Sequence, residues 1–499
     1  MQGLSPCPPE APFFFLAIAH APRFDAGNKE GIVVRTIIAG LLAATIAAPA
    51  TAQLRPDQAA FRGLYKELIE TNTTVSAGSC TLAAERMAAR LKAAGFADAD
   101  IKLFNGPKDR PQDGGLVATL AGKDAKAKAI LLLAHIDVVE AKRADWERDP
   151  FTLIEEGGWF YGRGTSDDKA QAAIFTDTLI RLKAAGKPLK RTLKLALTCG
   201  EESPGVFNGA EWLMTEHKDW IDAEFALNEG GIGVSDDKGN PIRLSFQAGE
   251  KVYQDFRLEA RNPGGHSSQP RPDNAIYQLT AGLNRLAATE FPVQFTDASR
   301  AYFAAMASQV GGEVGAAMRT LLANPGDTAA NAIVSRDPNW HSMLRTTCVA
   351  TRLDAGHANN ALAQRASANI NCRMFPGDSL EKVRGQIIAA VADPGLTLIT
   401  DAEVSPTPPP PPLTPAIYDP AVALAKKHFP GVPLLPTMVT GATDGRFLSA
   451  GGIPTYGVPG MVADKTLNNV HGLNERISVT NLYTTRDYLF DLINAYAAK

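Results

Sequence analysis

The segment Ala129-Ile130-Leu131-Leu132-Leu133-Ala134-His135-Ile136-Asp137 runs apolar without a polar break, then turns within three positions to imidazole and carboxylate. A strand with one wet face alternates polar and apolar residues. An unbroken apolar run of this length instead suits a strand covered on both faces, as in a parallel sheet between helices. Two more runs behave alike: Leu193–Thr198 leads into Cys199-Gly200-Glu201-Glu202, and Phe225–Asn228 into Glu229-Gly230-Gly231. Between the runs, Phe175, Leu179 and Leu182 recur at helical spacing, with Gly186 as a stop signal. Strands alternating with helices predict an α/β fold with a mostly parallel central sheet. Such sheets bind ligands at the carboxyl ends of their strands, so these polar groups are expected to converge on one edge.

Between the first two runs stands Gly162-Arg163-Gly164-Thr165-Ser166-Asp167-Asp168-Lys169. Its glycines permit a tight turn. The paired carboxylates precede a helix, where one of them, more plausibly Asp168, suits the N-cap and the positive end of the dipole.

Beyond Gly249 the character changes. A strand over Val252–Ala260, a loop carrying Gly264-Gly265-His266-Ser267-Ser268, a helix over Asn274–Ala288, a strand pair Leu344–Leu353 and Ala366–Phe375, and a helix–strand unit ending near Thr400 follow in order. That order predicts a small α+β domain inserted at 249–400, with residues 291–340 a helix-and-loop insertion carrying no chemical signal. The proline-rich stretch over 405–415 is stiff and extended and reads as a return linker. The larger catalytic domain is thereby split into 53–248 and 401–499.

At the N-terminus, Arg35 precedes an apolar run through Ala48 and then Ala50-Thr51-Ala52, which predicts a signal peptide over 34–52 and a periplasmic or secreted protein. The run is shorter than the roughly 20 residues a membrane span needs, so no stable membrane anchor is expected. Residues 1–33 read as an extension from a start assigned too early, with the true start at Val33 or Val34. In the 499-residue chain a net charge of -3 gives no electrostatic reason to expect nucleic acid, and small molecules are the expected partners. Cys80, Cys199, Cys348 and Cys372 lack metal-type spacing. Cys348 and Cys372, on successive strands, are placed for a bridge that export permits.

The collected polar set is His135, Asp137, Asp167, Glu201, Glu202, Glu229 and His471. Imidazole nitrogen and carboxylate oxygen are the donors zinc and its neighbours accept. In His135-Ile136-Asp137 the acid is placed to hold the other ring nitrogen of the histidine. So many carboxylates in one crevice repel unless cations neutralise them, which argues for two metals. Of Glu201 and Glu202, one can bind metal while the other serves as general base. Asp444 and Arg446 read as a turn-stabilising ion pair.

The ordered motifs HID, GRGTSDDK, GEE, NEGG, GGHSS and HGLNE resemble the di-zinc exopeptidase and deacylase family that includes glutamate carboxypeptidase, acetylornithine deacetylase, aminoacylase and carboxypeptidase S. The strand containing Arg345-Thr346-Thr347 looks most like carboxypeptidase S and its fatty-acyl amino acid hydrolase relatives. The resemblance implies two zinc ions, with cobalt or manganese as substitutes: His135, Asp167 and Glu229 on one, Asp167, Glu202 and His471 on the other, and Asp167 as the bridge. It implies Glu201 as general base, Asp137 as the orienting acid, and a cis peptide between Asp167 and Asp168. It also implies that the inserted domain is a lid that dimerises the protein, that His266 reaches the partner subunit's site to stabilise an oxyanion, and that Arg373, with Asn360 nearby, grips a substrate carboxylate. The expected function is an exported metallo-carboxypeptidase acting on small peptides. The alternatives are an N-acyl amino acid deacylase and, from another class, an inactive peptide-binding protein on the same fold. Glu201 argues against the last, since pure binding needs no base.

Overall fold

The computed structural model describes residues 54–203, 205–400 and 404–499; the expected leader over 34–52 and the extension before it lie outside the described residues. The apolar run forms the strand Ile130–His135, buried at every position. It pairs in parallel with Leu193–Thr198 on one side and Phe225–Ser235 on the other, and Phe225–Ser235 pairs in parallel with Thr455–Ala463. Antiparallel Gly115–Leu120 and Ile101–Phe104 extend the sheet at one edge, and Pro241–Glu250 and Leu434–Val439 complete eight strands at the other.

Both faces are covered, as the unbroken pattern requires. Ile130, Leu132 and Ala134 share a core with the helices Pro56–Ile69, Cys80–Ala93, Lys169–Ala185 and Val479–Ala497. Leu131 and Leu133 pack on the opposite side with Gly209–Glu216 and Gly445–Ala450. Each such leucine, fully buried, contributes about 1.5–3 kcal/mol relative to exposure. Helix Lys169–Ala185 ends where expected, at Gly186 in the left-handed conformation (φ +60°).

A second sheet has the order Thr347–Ala355, Arg365–Met374, Val252–Arg261, Leu396–Thr400, antiparallel throughout. Helices Ala275–Ala287 and Leu380–Val391 pack on it to form a separate apolar core. The insertion folds as Asp297–Val310, Gly312–Ala323, Thr328–Val334 and Pro338–Met343. Its apolar residues pack with Leu435 and Met438 of the large sheet's edge strand, and with Phe375 just past the end of a small-sheet strand. Helical periodicity announces an apolar face without saying what will cover it.

Two disulfides form. Cys348–Cys372 joins directly paired residues of neighbouring strands, at the place the sequence allowed. Cys80–Cys199 was not foreseen: its partners are 119 positions apart, and neither spacing nor local pattern links them.

Candidate metal centre

Parallel register sets Leu132 opposite both Leu195 and Leu227, so His135, the Gly200-Glu201-Glu202 turn and Glu229 arrive at the same sheet edge. Glu229 does not follow its strand, as the sequence implied, but lies within it. The strand continues to Ser235 because Thr455–Ala463 keeps pairing with it, and Gly230 (φ +101°) takes up the local irregularity.

His135 Nε2 lies 3.1 Å from Asp167 Oδ1 and 3.7 Å from Glu229 Oε1. His471 Nε2 lies 2.8 Å from Glu202 Oε1 and 3.2 Å from Asp167 Oδ2. The two carboxylate oxygens of Asp167 thus face different histidines. Donor atoms of His135, Asp167 and Glu229 fall within 4.8 Å of one another, as do those of Asp167, Glu202 and His471. The peptide between Asp167 and Asp168 is cis.

Asp137 does more than orient a ring. His135 Nδ1 is 3.1 Å from the Asp137 carbonyl oxygen and 3.6 Å from its carboxylate. That carboxylate accepts the backbone N–H groups of Glu202 (3.0 Å) and, at longer range, Glu201 (3.4 Å). One acid therefore ties the histidine strand to the turn bearing both glutamates. From the other side, Asn208 Nδ2 donates to the Gly200 carbonyl (3.2 Å) and to Asp444 Oδ1 (2.7 Å). Asp444 is buried behind this turn and forms no ion pair with Arg446 among the described residues; the Arg446 guanidinium lies over the Phe447 ring. The turn ion pair is thus replaced by a buried carboxylate answered by neutral donors.

Sequence reasoning also passed over Glu475. Its Oε1 accepts from the Ser166 and Asp167 amides (2.8 and 3.1 Å), and its Oε2 accepts from the Gly164 amide (2.9 Å) and Arg163 Nη1 (2.8 Å). Arg163 Nη2 donates to the Gly472 carbonyl (2.8 Å), joining this loop to the segment that bears His471. Gly164 has φ +82°, and a Cβ there would meet Val138 at 2.8 Å, which only glycine avoids. Asp168 occupies the N-cap position, but its side chain makes no capping bond and one oxygen is buried without a partner.

Charge at the site is unbalanced. Burial pushes the Glu201, Glu229 and Asp168 carboxyls well above the usual range, and neighbouring carboxylates add to this while His135 opposes it. Burial also works to raise Asp167, but its bonds to His135 and His471 win and hold it low. The same bonds, to Asp167 and Glu202, push His471 up to about 10. His135 and His471 lie as counter-charges against this cluster of acids. The orphaned Asp168 oxygen and a donor set of imidazole and carboxylate, without thiolate, fit hard-to-borderline divalent cations.

Arg373, Asn360 and His266 are not brought onto this cluster. His266 is exposed; it sits in a short pairing of Gly265–His266 with Ala361–Leu362, its Nδ1 2.7 Å from Ser268 Oγ. Asn360 lies beside it, its carbonyl accepting from the Ser267 amide. Arg373, on the small sheet, lies over the Tyr253 ring.

Over residues 131–495 the sequence matches the peptidase family M20/M25/M40, and the chain belongs to that family of metal-dependent hydrolases acting on amide bonds. Among its relatives is the human protein named N-fatty-acyl-amino acid synthase/hydrolase PM20D1, 29% identical over 386 residues and 75% of each chain. Another is the probable carboxypeptidase S-like 2 of Dictyostelium discoideum, 27% identical over 399 residues, 76% of this chain and 73% of that one. The M20 family metallo-carboxypeptidase Sso-CP2 of Sulfolobus solfataricus shares the fold, with a TM-score of 0.63 at 16% identity, covering 89% of this chain and all of that one.

Proposed function

We propose that this chain hydrolyses the amide bond of a small substrate bearing a free carboxylate, a short peptide or an N-acyl amino acid, with two divalent metals, zinc by preference. The observation that carries the reading is Asp167, whose two oxygens face His135 on one side and His471 on the other. His135, Asp167 and Glu229 would hold one ion, and Asp167, Glu202 and His471 the second. When bound, such a pair supplies a water of lowered pKa and a Lewis acid for the amide carbonyl. Glu201, uncommitted among the ligand groups, takes the proton from the attacking water and returns it to the leaving amine. Asp137 fixes both His135 and the Glu201–Glu202 turn.

Arg373 is assigned the substrate carboxylate, and His266 the oxyanion of the partner subunit's site. Dimerisation through the small sheet is supported by its edge strand Thr347–Ala355, where Val349 and Leu353 stand exposed. Sedimentation equilibrium tests it; a monomer at micromolar concentration opposes the dimer and the role of His266. Two disulfides support export to an oxidising compartment. Between the substrate classes, the relatives' names include both.

The test is a panel of free and C-terminally blocked dipeptides and N-acyl amino acids with zinc or cobalt. Wild-type hydrolysis requires metal and a free carboxylate, and Glu201→Gln lowers kcat by about 10²–10⁴-fold with metal still bound. Undiminished turnover in that variant refutes the mechanism.

A further inference from the structure

Strand pairing alone does not aim the Glu229 side chain. Asn228 stands opposite Gly457 and Gly231 opposite Pro459, so between these rungs the strand Phe225–Ser235 has two residues, Glu229 and Gly230, where its neighbour has one. Such a bulge leaves its extra residue out of the ladder and turns the side chain there in a new direction. Contacts from outside the ladder must therefore hold Glu229 in place.

The residues on either side of Glu229 are both held by one small network. Asn228, immediately before it, donates through Nδ2 to Thr443 Oγ1 (3.1 Å). That hydroxyl (2.8 Å) and the Thr443 amide (2.9 Å) donate in turn to Glu250 Oε2. Gln247 Nε2 donates to the same oxygen at longer range (3.4 Å). The other end of the Gln247 amide meets the residue immediately after Glu229. A Cβ on Gly230 would lie 1.8 Å from Gln247 Oε1, and one on Gly457 would lie 2.8 Å from it. Gln247 Oε1 has no hydrogen-bond partner, so shape holds it, in the notch these two glycines leave open. Asn228, Gln247 and Thr443 are buried. With Glu229 and Glu250 they line one cavity of 20 Å³, room for about one water molecule.

We infer that Glu250 is a positioning residue for Glu229. Through Thr443 it fixes Asn228 and through Gln247 it fixes Gly230, so the bulge presents the Glu229 carboxylate to His135 and Asp167. An ionised carboxylate only accepts, which lets three donors meet on it. The inference rests on the two-metal reading above and goes beyond it, because Glu250 belongs to neither group of candidate ligands.

The test uses the chelator-treated full chain and zinc alone, with affinity read by competition against a chromophoric chelator. Loss of a residue that holds a metal ligand typically weakens metal binding about 10–100-fold. Glu250→Ala is expected to weaken one of the two zinc ions by that factor and to leave the other unchanged. Glu250→Gln, whose amide oxygen can still accept both bonds from Thr443, is expected to keep the wild-type affinity. Thr443→Val keeps the shape of the side chain but removes the link to Asn228. It is expected to weaken the same ion, and it carries the test if Glu250→Ala does not fold. A double-mutant cycle separates positioning from general loosening: adding Glu250→Ala to Glu229→Ala is expected to weaken zinc binding no further. Wild-type affinity in both Glu250→Ala and Thr443→Val overturns the role, as does a loss equally large with and without the Glu229 carboxylate. A wild type that takes up no zinc refutes the two-metal reading itself. Normal zinc uptake without turnover of any amide refutes only the hydrolase reading, and the zinc series then still decides on Glu250.

Discussion

Glu475 organises the centre without joining either group of ligands. Three backbone amides and one guanidinium converge on a side chain of which 1% is exposed, and they include the amide of Asp167 itself. Glu475→Ala leaves Arg163 buried without its partner, a change that typically costs about 3–5 kcal/mol. Urea denaturation is expected to show that loss together with weaker metal uptake; full stability and full affinity contradict the assigned role. A second acid, half-buried, gives a pH signature. Burial pushes the Glu250 carboxyl up to about 7 despite bonds from the Thr443 amide and hydroxyl. Its pKa is higher folded than unfolded, so the folded state binds the proton more tightly. Its cost is absent below about pH 4.5, grows between 4.5 and 7, and is full above 7, amounting to about 3 kcal/mol. Glu250→Gln is therefore expected to gain stability over the wild type as pH rises through that window. A gap that stays constant from pH 4.5 to 8 contradicts this.

At the scale of elements, the turn Gly200-Glu201-Glu202 is fixed from three directions: by the Asp137 carboxylate, by Asn208 with Asp444 behind it, and by the Cys80–Cys199 disulfide. The disulfide closes a long loop, and removing such a crosslink typically costs about 2–4 kcal/mol. The Cys80→Ala/Cys199→Ala double variant is expected to lose stability in this range and to lose kcat more than KM, since Glu201, the proposed base, sits two residues from Cys199. Unchanged kcat separates the crosslink from the site. The central strands and the helix closing at Gly186 were legible in the sequence because a continuous apolar run and a glycine stop are local signals. So were the residues gathered at the strand ends, each adjacent to such a run. What was not legible depends on distance in sequence: the Cys80–Cys199 pairing, Glu475 reaching back to the Gly164 loop, Asp444 meeting Asn208 in place of Arg446, and the 297–343 helices docking on the large sheet. None of these leaves a periodic trace in the chain. The continuation of Glu229's strand to Ser235 was missed because its outer half alternates around glycines and pairs with a strand more than 200 residues later.

For the molecule as a whole, a large sheet supplies the candidate ligand cluster from its strand ends and connecting loops, a small sheet with its own core carries Arg373, assigned the substrate carboxylate, and a separate two-stranded pairing carries His266, assigned the oxyanion. His266 and Asn360 stand together, apart from the cluster, in keeping with a site completed by a second copy or by closure of the small sheet. The central claim is that two metals sharing Asp167 make this chain an amide hydrolase. The most direct test titrates chelator-treated protein with zinc while following bound metal and hydrolysis of an N-acyl amino acid together. The account predicts activity that appears only with metal and is complete at two equivalents per chain, with Asp167→Ala inactive and binding fewer than two. Full activity in metal-free protein, or in Asp167→Ala, would contradict it.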